Sequence, residues 1–236
     1  MHVVIGGGSG IGEAVAAVLQ GPVLVADRVG TDVRCDVTDP DSLRALAERV
    51  DRLDSLVVTA GVSPTMADAR TILDIDLAGT ARALDAFEPL VGDGTVAVCL
   101  ASMAAHLATW PAETAAVLDR PLDVDGLAAL TDDPATAYLL AKFGVVRLVR
   151  HRAADWGRRG ARLVSVSPGV VATPMGHREM ASGNGTTEMA AASALGRAAR
   201  PEEIAAVVAF VCSPGASYLT GSDVLVDGGA VAAVVP

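Results

Sequence analysis

The 236-residue chain is 51% hydrophobic and 19% charged, which supplies a large core and excludes a disordered segment. A formal charge of -10 would repel a phosphate backbone, and aromatics at 3% leave few rings to stack on bases, so nucleic acid is excluded as a partner. Glycine, proline or charge breaks every apolar run short of a membrane span, and no leader pattern precedes the strand-like segment at His2, so the expected location is cytoplasmic.

Along the chain, short β-branched runs alternate with longer alanine-rich stretches of helical period. Strands are expected at His2 to Ile5, Pro22 to Ala26, Ser55 to Ala60, Thr95 to Ala101, Ala161 to Ser167 and Val224 to Asp227, with a short one before Cys35. Helices are expected at Gly10 to Gln20, Pro40 to Val50, Ala67 to Leu90, Thr136 to Trp156 and Pro201 to Cys212. Strands apolar on both faces and alternating with helices specify a single doubly wound α/β domain over 1–236, a Rossmann-type parallel sheet of about seven strands covered on both sides. Asp39-Pro40 reads as an N-cap followed by a first-turn proline, and Glu202 and Glu203 place negative charge at a positive helix end. Two segments break the alternation. Residues 103–133 form an insertion rich in proline and acids, and 175–199, rich in glycine, serine and threonine, suit a substrate lid.

The first strand runs straight into Gly6-Gly7-Gly8-Ser9-Gly10-Ile11-Gly12 and then into a helix. Glycines at such a turn let the backbone approach a pyrophosphate, which the helix N-terminus stabilises. The second strand ends at Asp27, where a carboxylate can accept both hydroxyls of an adenosine ribose and would repel a 2'-phosphate. NAD is therefore favoured over NADP, although Arg28 could offset part of the repulsion. Asp36 and Val37 after the third strand could meet an adenine edge.

Of 18 basic residues, 17 are arginine and one is lysine, Lys142, which stands four positions after Tyr138, one of two tyrosines. Alone, Tyr138 would read as a core aromatic and Lys142 as a solvated charge. Four apart on a helix they share a face, where an ammonium would stabilise phenolate and draw the tyrosine pKa toward neutrality. A phenol so tuned can exchange a proton with a carbonyl or alcohol oxygen.

These motifs, in this order, resemble the short-chain dehydrogenase/reductase family. The likeness runs from Ile5 to Gly229: the glycine turn, Tyr138-Leu139-Leu140-Ala141-Lys142 as the YxxxK pair, Ser102 after the fifth strand, Pro168 to Pro174 over the nicotinamide, and Leu219 to Gly229 as the closing strand. The long interval between Ser102 and Tyr138 is most similar to the bacterial 3α-hydroxysteroid dehydrogenase/carbonyl reductase branch. The resemblance implies catalysis by Ser102, Tyr138 and Lys142, with Lys142 also reaching the nicotinamide ribose. It implies cofactor contacts from Gly6, Ser9, Gly10, Ile11, Gly12, Asp27, Asp36, Val37, Ala60, Gly61, Val171 and Thr173. It further implies a small-molecule substrate and a homo-oligomer, dimer or tetramer.

Three positions depart from the family pattern. Ile5 stands where a threonine braces the turn, Val58-Thr59-Ala60-Gly61 replaces an asparagine-bearing segment, and Asp76 occupies the place of a relay asparagine. The expected activity is NAD-dependent interconversion of a secondary alcohol and a ketone; the departures motivate the alternative of a non-catalytic NAD-binding redox sensor or interaction protein. His106, His151 and His177 lack ligand spacing, so no metal is expected. His177 is a candidate substrate contact, and Trp110, Met175, Met180 and Met189 are candidate pocket linings. Cys35, Cys99 and Cys212 read as buried small hydrophobes.

Overall fold

In β1 (His2–Ile5), Val3 and Ile5 face one hydrophobic cluster and Val4 the other, because successive side chains of a strand point to opposite sides. The same alternation recurs in β5 (Val96–Leu100), where Ala97 and Cys99 face the first cluster and Val96, Val98 and Leu100 the second. A strand buried on both faces has to lie inside a covered parallel sheet, and that is what the computed structural model contains; it describes residues 1–31 and 33–234. With β2 (Val23–Asp27), β3 (Val33–Arg34), β4 (Ser55–Val58), β6 (Arg162–Pro168) and β7 (Asp223–Val226), the seven strands pair in parallel in the order β3-β2-β1-β4-β5-β6-β7. The order reverses between β1 and β4, which opens a crevice at the carboxyl ends of those strands.

Helix α1 (Gly10–Val18) follows β1 without a spacer beyond the glycine turn, and α2 (Pro40–Ala47) starts at an Asp39 carboxylate that accepts from the Asp41 amide at 2.9 Å. The single helix expected from Ala67 to Leu90 is four pieces. Asp68 caps α3 (Ala69–Ile72), residues Leu73–Ala78 are π-helical, α4 runs Gly79–Phe87, and Glu88–Leu90 close as a 3-10 turn at Pro89, which has no amide hydrogen to continue the ladder. In the widened turn the Thr80 hydroxyl donates to the Asp76 carbonyl at 2.7 Å. Such turns recur at functional sites, and this one carries Asp76.

Residues 103–133 are largely helical, with a 3-10 turn at Met103–His106, α5 (Ala112–Leu118) and α6 (Val124–Ala128). Leu118 and Leu127 are fully buried in the main core. Helix α7 (Pro134–Arg158) begins two residues earlier than the pattern predicts, because Asp133 caps it by accepting from the Thr136 amide at 2.8 Å and Pro134 fits the first turn. Past β6 come α8 (Pro174–Ala181) and α9 (Thr186–Ala192), then α10 (Pro201–Cys212), which packs beside α1, and a short α11 (Ala230–Val234) after β7. Among the described residues no helix is long and apolar enough to cross a membrane.

Candidate active site

The fifteen residues expected to catalyse or to hold the cofactor all line one cavity of about 510 Å³ at the carboxyl ends of the strands. Its floor at one end is the glycine turn. Gly6 has φ +88°, and a Cβ there would lie 2.3 Å from the Ala60 amide nitrogen; at Gly12 a Cβ would lie 2.2 Å from the Gly6 carbonyl oxygen. Glycine is therefore required at both, by contact within the turn itself and with Thr59 and Ala60 after β4. The Ser9 hydroxyl makes no capping bond to α1, which leaves first-turn amides of that helix for an anion.

The turn keeps its brace by another route. Thr59 places its hydroxyl 3.0 Å from the carbonyl oxygens of both Ile5 and Gly6, so a threonine at the end of β4 does what the turn's own residue does in the family pattern. Neither spacing nor composition signals this, because the two segments are neighbours only through β1–β4 pairing. Asp27 receives the Gly8 amide at 2.9 Å and the Arg28 amide at 2.6 Å, which fixes its carboxylate on the cavity wall. Asp36 lies farther along. Its partial burial would raise its pKa, but the Thr38 hydroxyl and amide hold the carboxyl below the ordinary range.

At the other end stand Ser102, Tyr138 and Lys142. Ser102 follows β5 and caps the Met103–His106 turn by accepting from the Ala104 amide at 3.2 Å. Tyr138 and Lys142 share one face of α7, the ammonium 5.4 Å from the phenol ring centroid. The Lys142 Nζ lies 3.4 Å from the Leu100 carbonyl oxygen and 3.0 Å from Oδ2 of Asp76, whose Oδ1 accepts from the Val62 amide at 2.8 Å. Asp76 is 1% exposed and Lys142 5%. Burial opposes both charges: it pushes the Asp76 carboxyl up against the pull of Lys142 and the Val62 amide, and it works against the Lys142 ammonium, whose pKa Asp76 and Tyr138 together nevertheless raise.

The expected lowering of the tyrosine pKa does not hold in this state. Burial pushes the Tyr138 phenol up; Lys142 and the Ser102 hydroxyl pull it down, while the carboxylates of Asp76 and Glu179 push it up again. The net direction is upward because burial outweighs the pull of the ammonium, and the Asp76 carboxylate, 3.0 Å from that ammonium, adds to the rise.

The lid segment closes one side of the cavity. Glu179 on α8 accepts from the hydroxyls of Ser63 and Thr65, from the Thr65 amide and from the Asn184 side chain. Nothing in the sequence announces this latch, since Ser63 and Glu179 are 116 positions apart. Met175 and Met189 line the cavity together with Met66, Met103 and Leu107; Trp110 and Met180 do not, and pack against core clusters. His177 is exposed and does not line the cavity. His106 pairs at 2.8 Å with Asp223, whose other oxygen accepts from Ser167 at 2.9 Å, and His151 lies 3.4 Å from Asp119. Among the described residues there is no group of three ligand-type side chains.

A Ser, Tyr and Lys set over the carboxyl edge of a seven-stranded parallel sheet defines a class, and the comparisons agree with it. A family model described as enoyl-(acyl carrier protein) reductase matches residues 12–118 and 126–231, interrupted from the end of α5 into the start of α6. The chain belongs to the short-chain dehydrogenase/reductase family of oxidoreductases.

Its individual likenesses are to proteins of several names. It is 33% identical over 261 residues to a short-chain dehydrogenase/reductase of Alternaria brassicicola, covering 98% of this chain and 95% of that one. It is 30% identical over 252 residues to the 3-alpha-hydroxysteroid dehydrogenase/carbonyl reductase of Comamonas testosteroni, with 99% and 97% covered. The crystal structure of the 3-alpha-hydroxysteroid dehydrogenase from Pseudomonas sp. B-0831 complexed with NADH superposes with a TM-score of 0.87 at 31% identity, with 97% and 95% covered.

Proposed function

We propose that the protein is an NAD-dependent oxidoreductase that interconverts a secondary alcohol and a ketone on a mainly apolar substrate, a hydroxysteroid or another apolar or aromatic carbonyl compound. The observation that carries this reading is the Ser102, Tyr138 and Lys142 cluster in a cavity that Met66, Met103, Leu107, Met175 and Met189 also line, with Arg178 and Glu179 the charged groups of its lid. The NADH-bound hydroxysteroid dehydrogenase of similar fold supports both the nicotinamide and the substrate class. The residues present suit that cofactor: open first-turn amides at α1 for the pyrophosphate, and a fixed carboxylate at Asp27 for the adenosine ribose. Val171 and Thr173, both buried, would flank the nicotinamide, and Ala60, Gly61, Asp36 and Val37 would contact the rest of the dinucleotide.

When bound, the nicotinamide supplies or accepts the hydride. In the reducing direction Tyr138 gives its phenol proton to the substrate oxygen, and it takes one back when an alcohol is oxidised. The Ser102 hydroxyl donates to the same oxygen and holds it in line. Lys142 stabilises the phenolate as it forms. The lid's methionines exclude water from the reacting carbon and adapt to irregular apolar shapes.

Tyr138→Phe, with fold intact by circular dichroism, should lose turnover by about 100-fold or more, since positioned acid catalysis contributes on that order. A loss of tenfold or less would count decisively against the assignment. Nicotinamide absorbance with hydroxysteroids, aryl alcohols and their ketones, each offered with NAD and NADP, tests substrate class and cofactor together. Turnover with no member of that panel would favour the non-catalytic alternative.

A further inference from the structure

Asp76 is a fully buried acid within 3.0 Å of the only lysine in the chain, and it sits in the π-helical turn of Leu73–Ala78. Its two oxygens face donors on both sides: Oδ1 accepts from the Val62 amide, and Oδ2 meets the Lys142 ammonium as a charge contact outside hydrogen-bond alignment. An asparagine could not serve both, because one side of its amide is itself a donor and would confront another N–H. The Gly61 backbone also packs on this carboxylate, a Cβ there lying 3.3 Å from either oxygen. Aspartate is thus matched to its surroundings by donor count.

The match has a chemical consequence. Lys142 is the cation that would stabilise a Tyr138 phenolate, and it already faces the Asp76 carboxyl group 3.0 Å away. We propose that Asp76 is a positioning residue that holds Lys142 and keeps the proton on Tyr138 while the site is empty. This deepens the oxidoreductase reading and rests on it for its catalytic meaning. The charged groups acting on Tyr138 from the surrounding elements are Lys142 on its own helix, Asp76 from the π-helical turn and Glu179 from α8, with the neutral Ser102 hydroxyl after β5. Lys142 is the one cation in that set, so removing Asp76's charge leaves it to the phenol alone. The direction of the Tyr138 pKa, raised with Asp76 among its causes, agrees with this arrangement.

The chain provides its own spectroscopic handle. Of its two tyrosines, Tyr218 is fully exposed, so a Tyr218→Phe background leaves Tyr138 as the sole phenol. Phenolate difference absorbance is followed against pH in the protein without cofactor or substrate. Asp76→Asn should ionise at least about one pH unit earlier than the background protein, the usual scale for uncovering an opposite charge. Asp76→Glu, which keeps the charge, should stay close to it. Asp76→Ser gives the same reading if the asparagine variant does not fold, since it leaves room for water on Lys142. An unchanged or later midpoint in a folded charge-removing variant overturns the proposal. In turnover, the pH profile of kcat/KM for alcohol oxidation should move to lower pH by the same amount in Asp76→Asn, and a profile that only drops in height overturns it. Because the first measurement uses no substrate, it stands apart from the Tyr138→Phe test of the activity itself.

Discussion

At the scale of single residues, the unusual arginine-to-lysine ratio acquires a physical reason. Lys142 is buried among the Asp76 carboxylate, the Leu100 carbonyl and the Tyr138 ring, where a compact ammonium is met from three directions. A guanidinium is a broad plane with fixed donor directions and does not substitute for a point charge there. Lys142→Arg should therefore keep the charge and the fold, as read by circular dichroism, and lose activity by about 100-fold through displaced geometry. Full activity in that variant would overturn the role given to Lys142. The arginines elsewhere act where a fork or a mere charge suffices, as in the bidentate Arg147 to Asp119 pair at 2.7 Å and the Arg197 to Glu203 pair at 2.8 Å. Those Arg197 hydrogen bonds, with the Arg200 amide, hold the Glu203 carboxyl down to about 2.

At the scale of elements, α8 and α9 form a lid held by one side chain. Glu179 gathers donors from the segment after β4 and from the turn between α8 and α9. Its partial burial would raise its pKa, but the hydrogen bonds from Ser63, Thr65 and Asn184 prevail and keep the folded value below the ordinary one. With the folded value depressed, the latch contributes fully above the ordinary glutamate pKa of about 4.3 and loses strength as pH falls from there through the folded value. Glu179→Ala at neutral pH should speed hydrogen exchange across 174–192 by about tenfold, the scale of losing hydrogen bonds to a charged group, while α7 stays protected. Equal protection of the lid in variant and parent would dismiss the latch. The π-helical turn makes the same point about elements: an unbroken helix is the reading of the Ala67 to Leu90 pattern, while the bulge that carries Asp76 packs against α7, a contact that local periodicity does not encode.

At the scale of the whole molecule, the insertion is part of the core. Leu118 and Leu127 bury against it, and Asp119 and Asp125 tie α5 and α6 to Arg147 and Arg70, so deleting 111–132 would strip α7 as well as remove a surface. Assembly is better tested elsewhere. β7 is an edge strand, and Phe210, Tyr218 and Leu225 on and around it are exposed, with Leu225 at 40%. Light scattering is expected to give a dimer, and Leu225→Asp to shift it toward monomer; a monomeric parent would remove this edge as an interface. What the sequence by itself determined is what local chemistry encodes: strand and helix alternation, the glycine turn, the cap at Asp39, and the one-face pairing of Tyr138 with Lys142. All depend on neighbours within a few positions. Only the tertiary structure decided that Thr59 braces the turn in place of a threonine at Ile5, that Glu179 latches the lid, and that Asp76 meets Lys142 in the core. Each of these joins groups brought together by sheet pairing or helix packing, and a buried charge or hydroxyl takes its meaning from the partners that fold gives it.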